Sequence, residues 1–208
     1  MGKKYNNENF LHSCDEPKVV LKDHEHSVLD MKYSLEDQIR IVDFYLFHAP
    51  VLNPSKSENG FGLKSMKNYG WMGKQSMSKL EGLLLKDANL SIFCFLKSDS
   101  IADTLESMDL KDKICISHPR AVLKQNAKVS VREDGSVLVS QKETRMECLF
   151  RHVRNSLAHN HTYYFDNGNI LLEDCDDSGS ISARLLIPKQ ALLSWIDTIE
   201  NKAPEQNR

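Results

Sequence analysis

One amphipathic pattern constrains the fold of this chain more than any other feature of its sequence. From Lys142 to about Leu157, apolar residues recur at the three- and four-residue spacing of an α-helix. The pattern predicts a helix that buries one stripe in a core and leaves its other face to water. The stripe consists of Met146, Leu149, Phe150, Val153 and Leu157.

Four further segments favour a mainly helical protein. Ser34 can cap a helix that runs to about His48 and stops before Pro50. Weaker helical patterns begin near Ser76 and after Ser100, and a last helix follows Pro188. The apolar run 90–96 fits either a continuation of the second helix or a buried strand, because a short run does not distinguish the two.

Alternating residues predict two small β-hairpins beside these helices. The first spans about 128–140 around an Asp134-Gly135 turn, and the second joins 162–165 to 170–172 through Asp166-Asn167-Gly168-Asn169. Residues 182–187 can add a strand. The segment 50–73 is rich in proline and glycine and predicts a long loop, in which Trp71 and Met72 are expected to fill the core rather than bind a ligand.

Composition indicates one globular domain in a reducing compartment. The 208 residues are 40% hydrophobic and 27% charged, and a net charge of -2 provides no global field for polyanions. The five cysteines are odd in number and widely spaced, so reduced thiols in the cytoplasm are expected. No apolar run reaches the roughly 20 residues of a membrane span. We therefore divide the chain into an N-terminal arm (1–30), a helical domain (31–201) and a flexible tail (202–208).

A polar string ends the strongest helix. Arg151, Asn155 and His159 are i, i+4 neighbours on one face, and Arg154 flanks that face. A guanidinium grips phosphate oxygens through two fixed N–H groups, and an imidazole moves protons near neutral pH. His159 lies near the helix end, where the dipole favours a protonated ring. The pair could cleave a phosphodiester without metal, with Asn155 orienting the ring or the phosphate.

The string Leu149-Phe150-Arg151-His152-Val153-Arg154-Asn155-Ser156-Leu157-Ala158-His159 resembles the signature helix of the HEPN superfamily, with its R-x(4 to 6)-H motif. The likeness covers about residues 142–200. It implies an antiparallel helical bundle with one or two small β-hairpins, and a homodimer in which two such helices form a composite cleft. Many members are metal-independent endoribonucleases of bacterial toxin–antitoxin, phage-defence or stress systems, some with an antitoxin partner.

The resemblance also implies roles for individual residues. Arg154 and His159 of both protomers would surround the scissile phosphate, supported by Asn155, while the RNA 2′-hydroxyl attacks and leaves a 2′,3′-cyclic phosphate. Arg151 and His161 match no motif position of the family, but they could steady flanking phosphates. No cofactor is expected.

Two other functions stay open at this point. In the first, the same groove is a non-catalytic module that binds RNA, a nucleotide or a partner protein, which suits the acidic net charge. In the second, His159-Asn160-His161 binds a metal together with Asp174 or Asp176, although the sequence defines no third ligand.

Overall fold

The computed structural model describes residues 17–21, 33–51, 65–96, 101–125, 127–131, 137–176 and 178–203, with the backbone alone for 127–131 and 137–142. Five α-helices lie in these ranges. They are α1 (Leu35–Val42), α2 (Gly73–Asp87), α3 (Ile101–Ser107), α4 (Arg145–Ala158) and α5 (Ala191–Asn201). A π-helix (Asp43–His48) extends α1, and a 3-10 helix (Met66–Tyr69) precedes α2.

In the part of the chain that the structure describes, nine strands form three sheets. They are β1 (Val19–Val20), β2 (Phe93–Leu96), β3 (Lys113–Ile114), β4 (Arg120–Lys124), β5 (Ala127–Val131), β6 (Val137–Lys142), β7 (Thr162–Tyr164), β8 (Asn169–Cys175) and β9 (Ile181–Pro188). The main sheet has the order β2-β4-β9-β8-β7, in which β2 and β4 are parallel and the other pairs antiparallel. β1 pairs with β3, and β5 pairs with β6.

The main sheet is buried on both faces because alternate residues of its central strands enter two different cores. Leu172 of β8 and Leu185 of β9 pack in a core with helices α1, α2, α4 and α5. Their neighbours Leu171 and Leu186 enter a second core with α3 and β3. The sheet therefore lies between two layers. Within the first core, α4 packs directly against β8.

This architecture corrects the expected fold class. The protein is mixed α/β with a five-stranded sheet, and it is not a mainly α, antiparallel helical bundle. The prediction was wrong because it left out β4, whose Ala121, Val122 and Leu123 are all fully buried and show no alternation. Without β4, the predicted strand 182–187 and the second hairpin had no connection to the apolar run 90–96.

Most of the individual elements were nevertheless predicted. The helices near 34–48, 76, 101 and 188, the signature helix and both hairpins are present, and 93–96 forms a strand rather than a helical extension. Trp71 is 1% exposed and its indole N–H donates to the carbonyl of Ile199, as expected of a core residue. Met72 is 41% exposed, so the expectation that it also fills the core is wrong. Parts of the predicted arm, loop and tail lie outside the described residues.

The cysteine prediction needs one correction. Cys94, Cys148 and Cys175 are free thiols, as expected, but Cys115 is disulfide-bonded. Cys14 lies outside the described residues. Widely spaced cysteines gave the sequence no signal for this bond, since only the fold brings distant residues together.

Within the described ranges, no helix combines the length and apolar character that crossing a membrane would require.

Candidate functional site

Helix α4 carries the candidate site, and its two ends are fixed locally. At the N-terminus, the Thr144 hydroxyl accepts from the Glu147 N–H at 3.2 Å, and the Glu147 carboxylate accepts from the Thr144 N–H at 2.9 Å. At the C-terminus, Asn160 adopts a left-handed φ of 60°, and the N–H of His161 donates to the carbonyl of Ser156 at 2.8 Å. The helix therefore ends at the position predicted from the sequence.

The predicted apolar stripe of α4 is buried, and the opposite face is open to solvent. The five residues of this stripe, Met146, Leu149, Phe150, Val153 and Leu157, are each at most 5% exposed. The residues that stay at least partly exposed define what we call the open stripe: Arg145, Glu147, Arg151, Arg154, Asn155, Ala158 and, at the helix end, His159. Arg154 and His159 both belong to this stripe and lie five positions apart in the sequence.

Arg154 differs from the other arginines of the described ranges. Each of the other five has a carboxylate within 3.7 Å: Arg40 pairs with Asp197, Arg120 with Asp109, Arg145 with Glu81, Arg151 with Glu143 and Arg184 with Glu173. Arg154 has no such partner there, and its Nε is buried without a hydrogen-bond acceptor. A buried donor left unpaired is costly, so this guanidinium is poised to receive an anion.

His159 provides the second unpartnered group. Its side chain is exposed at the end of α4, and its ring makes no hydrogen bond with any described residue. The ring lies 6.3 Å from that of His161, centroid to centroid. His159 therefore offers an imidazole to solvent at the same end of the helix as Arg154.

Arg151 has a different role from the predicted phosphate contact. Its guanidinium binds Glu143 through two bonds of 2.7 and 3.1 Å, and it also donates to the carbonyl of Lys124. Burial disfavours the charged guanidinium, but the hydrogen bond and charge of Glu143 outweigh it and raise the pKa of Arg151 above its ordinary value. Arg151 thus joins α4 to the strands beside it.

Asn155 is also engaged within the protein. Its Nδ2 donates to Asp174 Oδ2 at 3.2 Å, and the same oxygen accepts from His152 Nδ1 at 2.6 Å. The predicted stack of Arg151, Asn155 and His159 is therefore divided. Arg151 and Asn155 face the Asp174 carboxylate, whereas His159 lies beyond it at the helix end.

Sequence reasoning missed the buried network at this position. Glu143, His152 and Asp174 are each no more than 3% exposed and connect β8 and the end of β6 to α4. His152 on the buried face of the predicted helix was a usable signal, because a buried imidazole needs partners. Asp174 had been considered only as a metal ligand, and its pairing with His152 depends on the sheet register.

A cleft of about 470 Å³ opens beside His159, at the end of the sheet. Its lining comes from the C-terminal end of α4, from β7, from the end of β8 and from the β8–β9 turn. The lining residues are His159, His161, Tyr163, Glu173, Cys175, Asp176 and Gly179. Arg154, Arg151 and Asn155 are not among them. The structure therefore brings His159 and His161 together and sets the other predicted residues apart from this cleft.

The thiol in the cleft is unsuited to nucleophilic work. Burial raises the pKa of Cys175 to about 11, and the charge of Glu173 and a hydrogen bond to it add to the shift. The thiolate is the reactive form, so Cys175 is protonated and unreactive near neutral pH.

The described residues provide no set of ligands that would support the metal hypothesis. No three of their His, Cys, Asp and Glu side chains come together in a way that could hold a metal ion. Asp174, one of the suggested ligands, is buried against His152 instead of facing His159 and His161.

Comparison with known protein families, with curated proteins and with solved structures found no match for this chain.

Proposed function

We propose that the protein is a metal-independent endoribonuclease in which Arg154 binds the scissile phosphate and His159 transfers protons. The observation that carries the proposal is the unpartnered guanidinium of Arg154 on the same open stripe as the exposed His159. In a chain whose other described arginines are all neutralised by carboxylates, this group has a favourable site for a phosphate oxygen.

The chemistry follows from the two groups. The RNA 2′-hydroxyl attacks the adjacent phosphorus and gives up its proton to an imidazole, while an imidazolium protonates the departing 5′-oxygen. The products are a 2′,3′-cyclic phosphate and a free 5′-hydroxyl. Arg154 stabilises the extra negative charge on the phosphate oxygens as the new bond forms.

This chemistry uses two imidazoles in different protonation states, and the resemblance to HEPN proteins implies that both are His159, one from each protomer. We therefore propose that two copies of the protein dimerise so that both open stripes line one cleavage site. The local resemblance of α4 and the following hairpin to HEPN proteins supports this arrangement, although the whole fold is not the expected bundle. RNA as substrate places the protein in the cytoplasm, in a stress or defence role with an antitoxin as a candidate partner.

The test is cleavage of RNA in EDTA by purified wild type and by the variants Arg154→Ala and His159→Ala. Each substitution should lower the rate by about 10²–10⁴-fold. Arg40→Ala is the matched control, because Arg40 is an exposed helical arginine already paired with Asp197. DNA of the same sequence should stay intact, since it lacks the 2′-hydroxyl. Equal cleavage by all four proteins would contradict the proposal.

The second candidate is a module that binds RNA or a nucleotide without cleaving it. It is favoured because Arg151 is hydrogen-bonded to Glu143 and Asn155 to Asp174. These contacts leave few polar groups of α4 for catalysis. Binding measured by fluorescence anisotropy would then depend on Arg154 and survive His159→Ala, and no cyclic phosphate would form.

A further inference from the structure

The cleft beside His159 is lined in part by that proposed proton-transfer group, but the rest of its lining points to a ligand other than a phosphate. Its volume of about 470 Å³ lies within the roughly 300–1,000 Å³ of small-molecule sites. No lysine or arginine occurs among its described lining residues. A phosphate would therefore find no cation inside the cleft.

Most of the polar groups that line the cleft are neutral or neutralised. Glu173 accepts from Arg184 Nε at 2.6 Å, so its charge is paired. Burial raises the pKa of Cys175 to about 11 and that of Tyr163 to about 12, so both groups are protonated at neutral pH. These walls suit an uncharged ligand with hydrogen-bonding edges.

Asp176 is the exception and sits at the rim. Its Oδ1 accepts from the Ser178 hydroxyl and from the N–H groups of Ser178 and Ser180, which fixes the carboxylate. Its Oδ2 accepts no hydrogen bond from any described residue. Hydrogen bonds from Ser178 and Ser180 hold the pKa of this fully exposed carboxyl below its ordinary value. Oδ2 is therefore a negatively charged hydrogen-bond acceptor at neutral pH.

We propose that the cleft is a nucleobase subsite, in which Asp176 Oδ2 accepts the exocyclic amino group of a base next to the scissile phosphate. His159 and His161, with their rings 6.3 Å apart and tilted by 39°, offer aromatic faces against the planar base. A carboxylate accepts from the amino group of cytosine but repels the O4 oxygen of uracil. The subsite therefore prefers cytosine to uracil. The identity of the ligand rests on the proposed ribonuclease function.

The experiment uses uncharged nucleosides, so that it does not depend on cleavage. Cytidine and uridine are titrated separately into isotope-labelled protein, and the amide resonances of residues 159–163 and 173–180 are followed by NMR. Cytidine should bind the wild type about tenfold more tightly than uridine. Arg154→Ala should bind both nucleosides as the wild type does.

The variant Asp176→Asn tests whether Oδ2 determines the preference for cytidine. Asparagine keeps an oxygen for Ser178 and Ser180 but replaces the outward Oδ2 with an amide donor. The preference should reverse, so that uridine binds at least as tightly as cytidine. Asp103→Asn, at an exposed position on α3, is the matched control and should leave the preference unchanged.

Two results would overturn the subsite. One is an absence of binding by either nucleoside at millimolar concentration. The other is a preference that Asp176→Asn does not alter. If RNA is never cleaved but the nucleoside preference is present and reverses, the subsite stands and the nuclease activity fails. If RNA is cleaved with no base preference that Asp176→Asn shifts, the activity stands and the subsite fails.

Discussion

At the scale of single residues, two of the three arginines of helix α4 look alike in sequence and differ in environment. Arg151 and Arg154 are three positions apart on the open stripe. Arg151 pairs with Glu143, whose carboxylate is 3% exposed, and Arg154 has no acid partner among the described residues. One is part of the internal framework, and the other is available to a ligand.

Arg151→Ala should therefore act on stability. It would leave Glu143 buried without its partner, and breaking such a pair costs about 3 kcal/mol in the free energy of unfolding. Urea denaturation measures the loss. Arg40→Ala, which removes the exposed partner of Asp197, should cost less than about 1 kcal/mol. A fully stable Arg151→Ala protein with weakened RNA binding would instead restore the phosphate-contact role first predicted for Arg151.

A second prediction at this scale concerns the thiol of Cys175. Because burial and the Glu173 charge raise its pKa to about 11, the thiolate fraction near pH 8 is small. Alkylation by iodoacetamide at pH 8, followed by mass spectrometry of the native protein, should be on the order of a hundredfold slower than for N-acetylcysteine. The rate should keep rising up to about pH 11. A rate equal to that of the small thiol would contradict the assigned environment.

At the scale of secondary-structure elements, α4 is tied to each of its neighbours by a different contact. Glu81 of α2 pairs with Arg145 at the start of α4 at 2.8 Å, and Phe150 packs against the π-helix through Phe44 and Tyr45. The carboxylate of Asp174 on β8 accepts a hydrogen bond from His152 in the middle of α4. The orientation of the open stripe depends on these attachments.

The Glu81 contact predicts a pH effect on stability. Burial raises the pKa of Glu81 above its ordinary value of 4.5, although the charge of Arg145 opposes the shift. The folded protein thus binds this proton more tightly than the unfolded chain does. The resulting stabilisation is complete below pH 4.5 and is lost as the pH rises through the folded-state pKa.

Glu81→Gln cannot lose that proton, so the variant should gain stability relative to the wild type as the pH rises from 4 to 7. Urea midpoints measured across this range provide the comparison. If the wild type instead gains stability relative to the variant as the pH rises, the attraction between Glu81 and Arg145 outweighs the effect of burial.

The same elements show what local pattern can and cannot predict. Helix α4, its ends and the β7–β8 hairpin follow from periodicity, capping residues and turn chemistry, which are encoded within a few positions. The strand β4 and the contact between His152 and Asp174 do not, because they depend on pairing between residues far apart in the chain. Arg154 and His159 could be selected from the string, but the occupation of Arg151 and Asn155 could not.

At the scale of the whole molecule, the proposed activity requires two copies of the chain. Because each cut uses the His159 of both protomers, a mixed dimer of wild type and His159→Ala has a single His159 and should be inactive. If an equal amount of His159→Ala is added under conditions of subunit exchange, about half of the dimers become mixed, and the cleavage rate per wild-type chain should fall to about half.

Native mass spectrometry would confirm that mixed dimers form. A protein that sediments as a monomer with full activity would contradict the composite site, as would mixed dimers that stay fully active.

The order of strands in the main sheet has a consequence for how the protein is made. β4 needs β9 as its neighbour, and Arg120 lies opposite Leu186, so this pairing must wait until the C-terminal part of the chain has been synthesised. Helix α4 is translated earlier, but the Asp174 carboxylate that holds it arrives later, on β8. A nascent chain would therefore carry the groups proposed to cleave RNA on an unanchored helix until β8 has been synthesised, and the proposed site could not assemble before then.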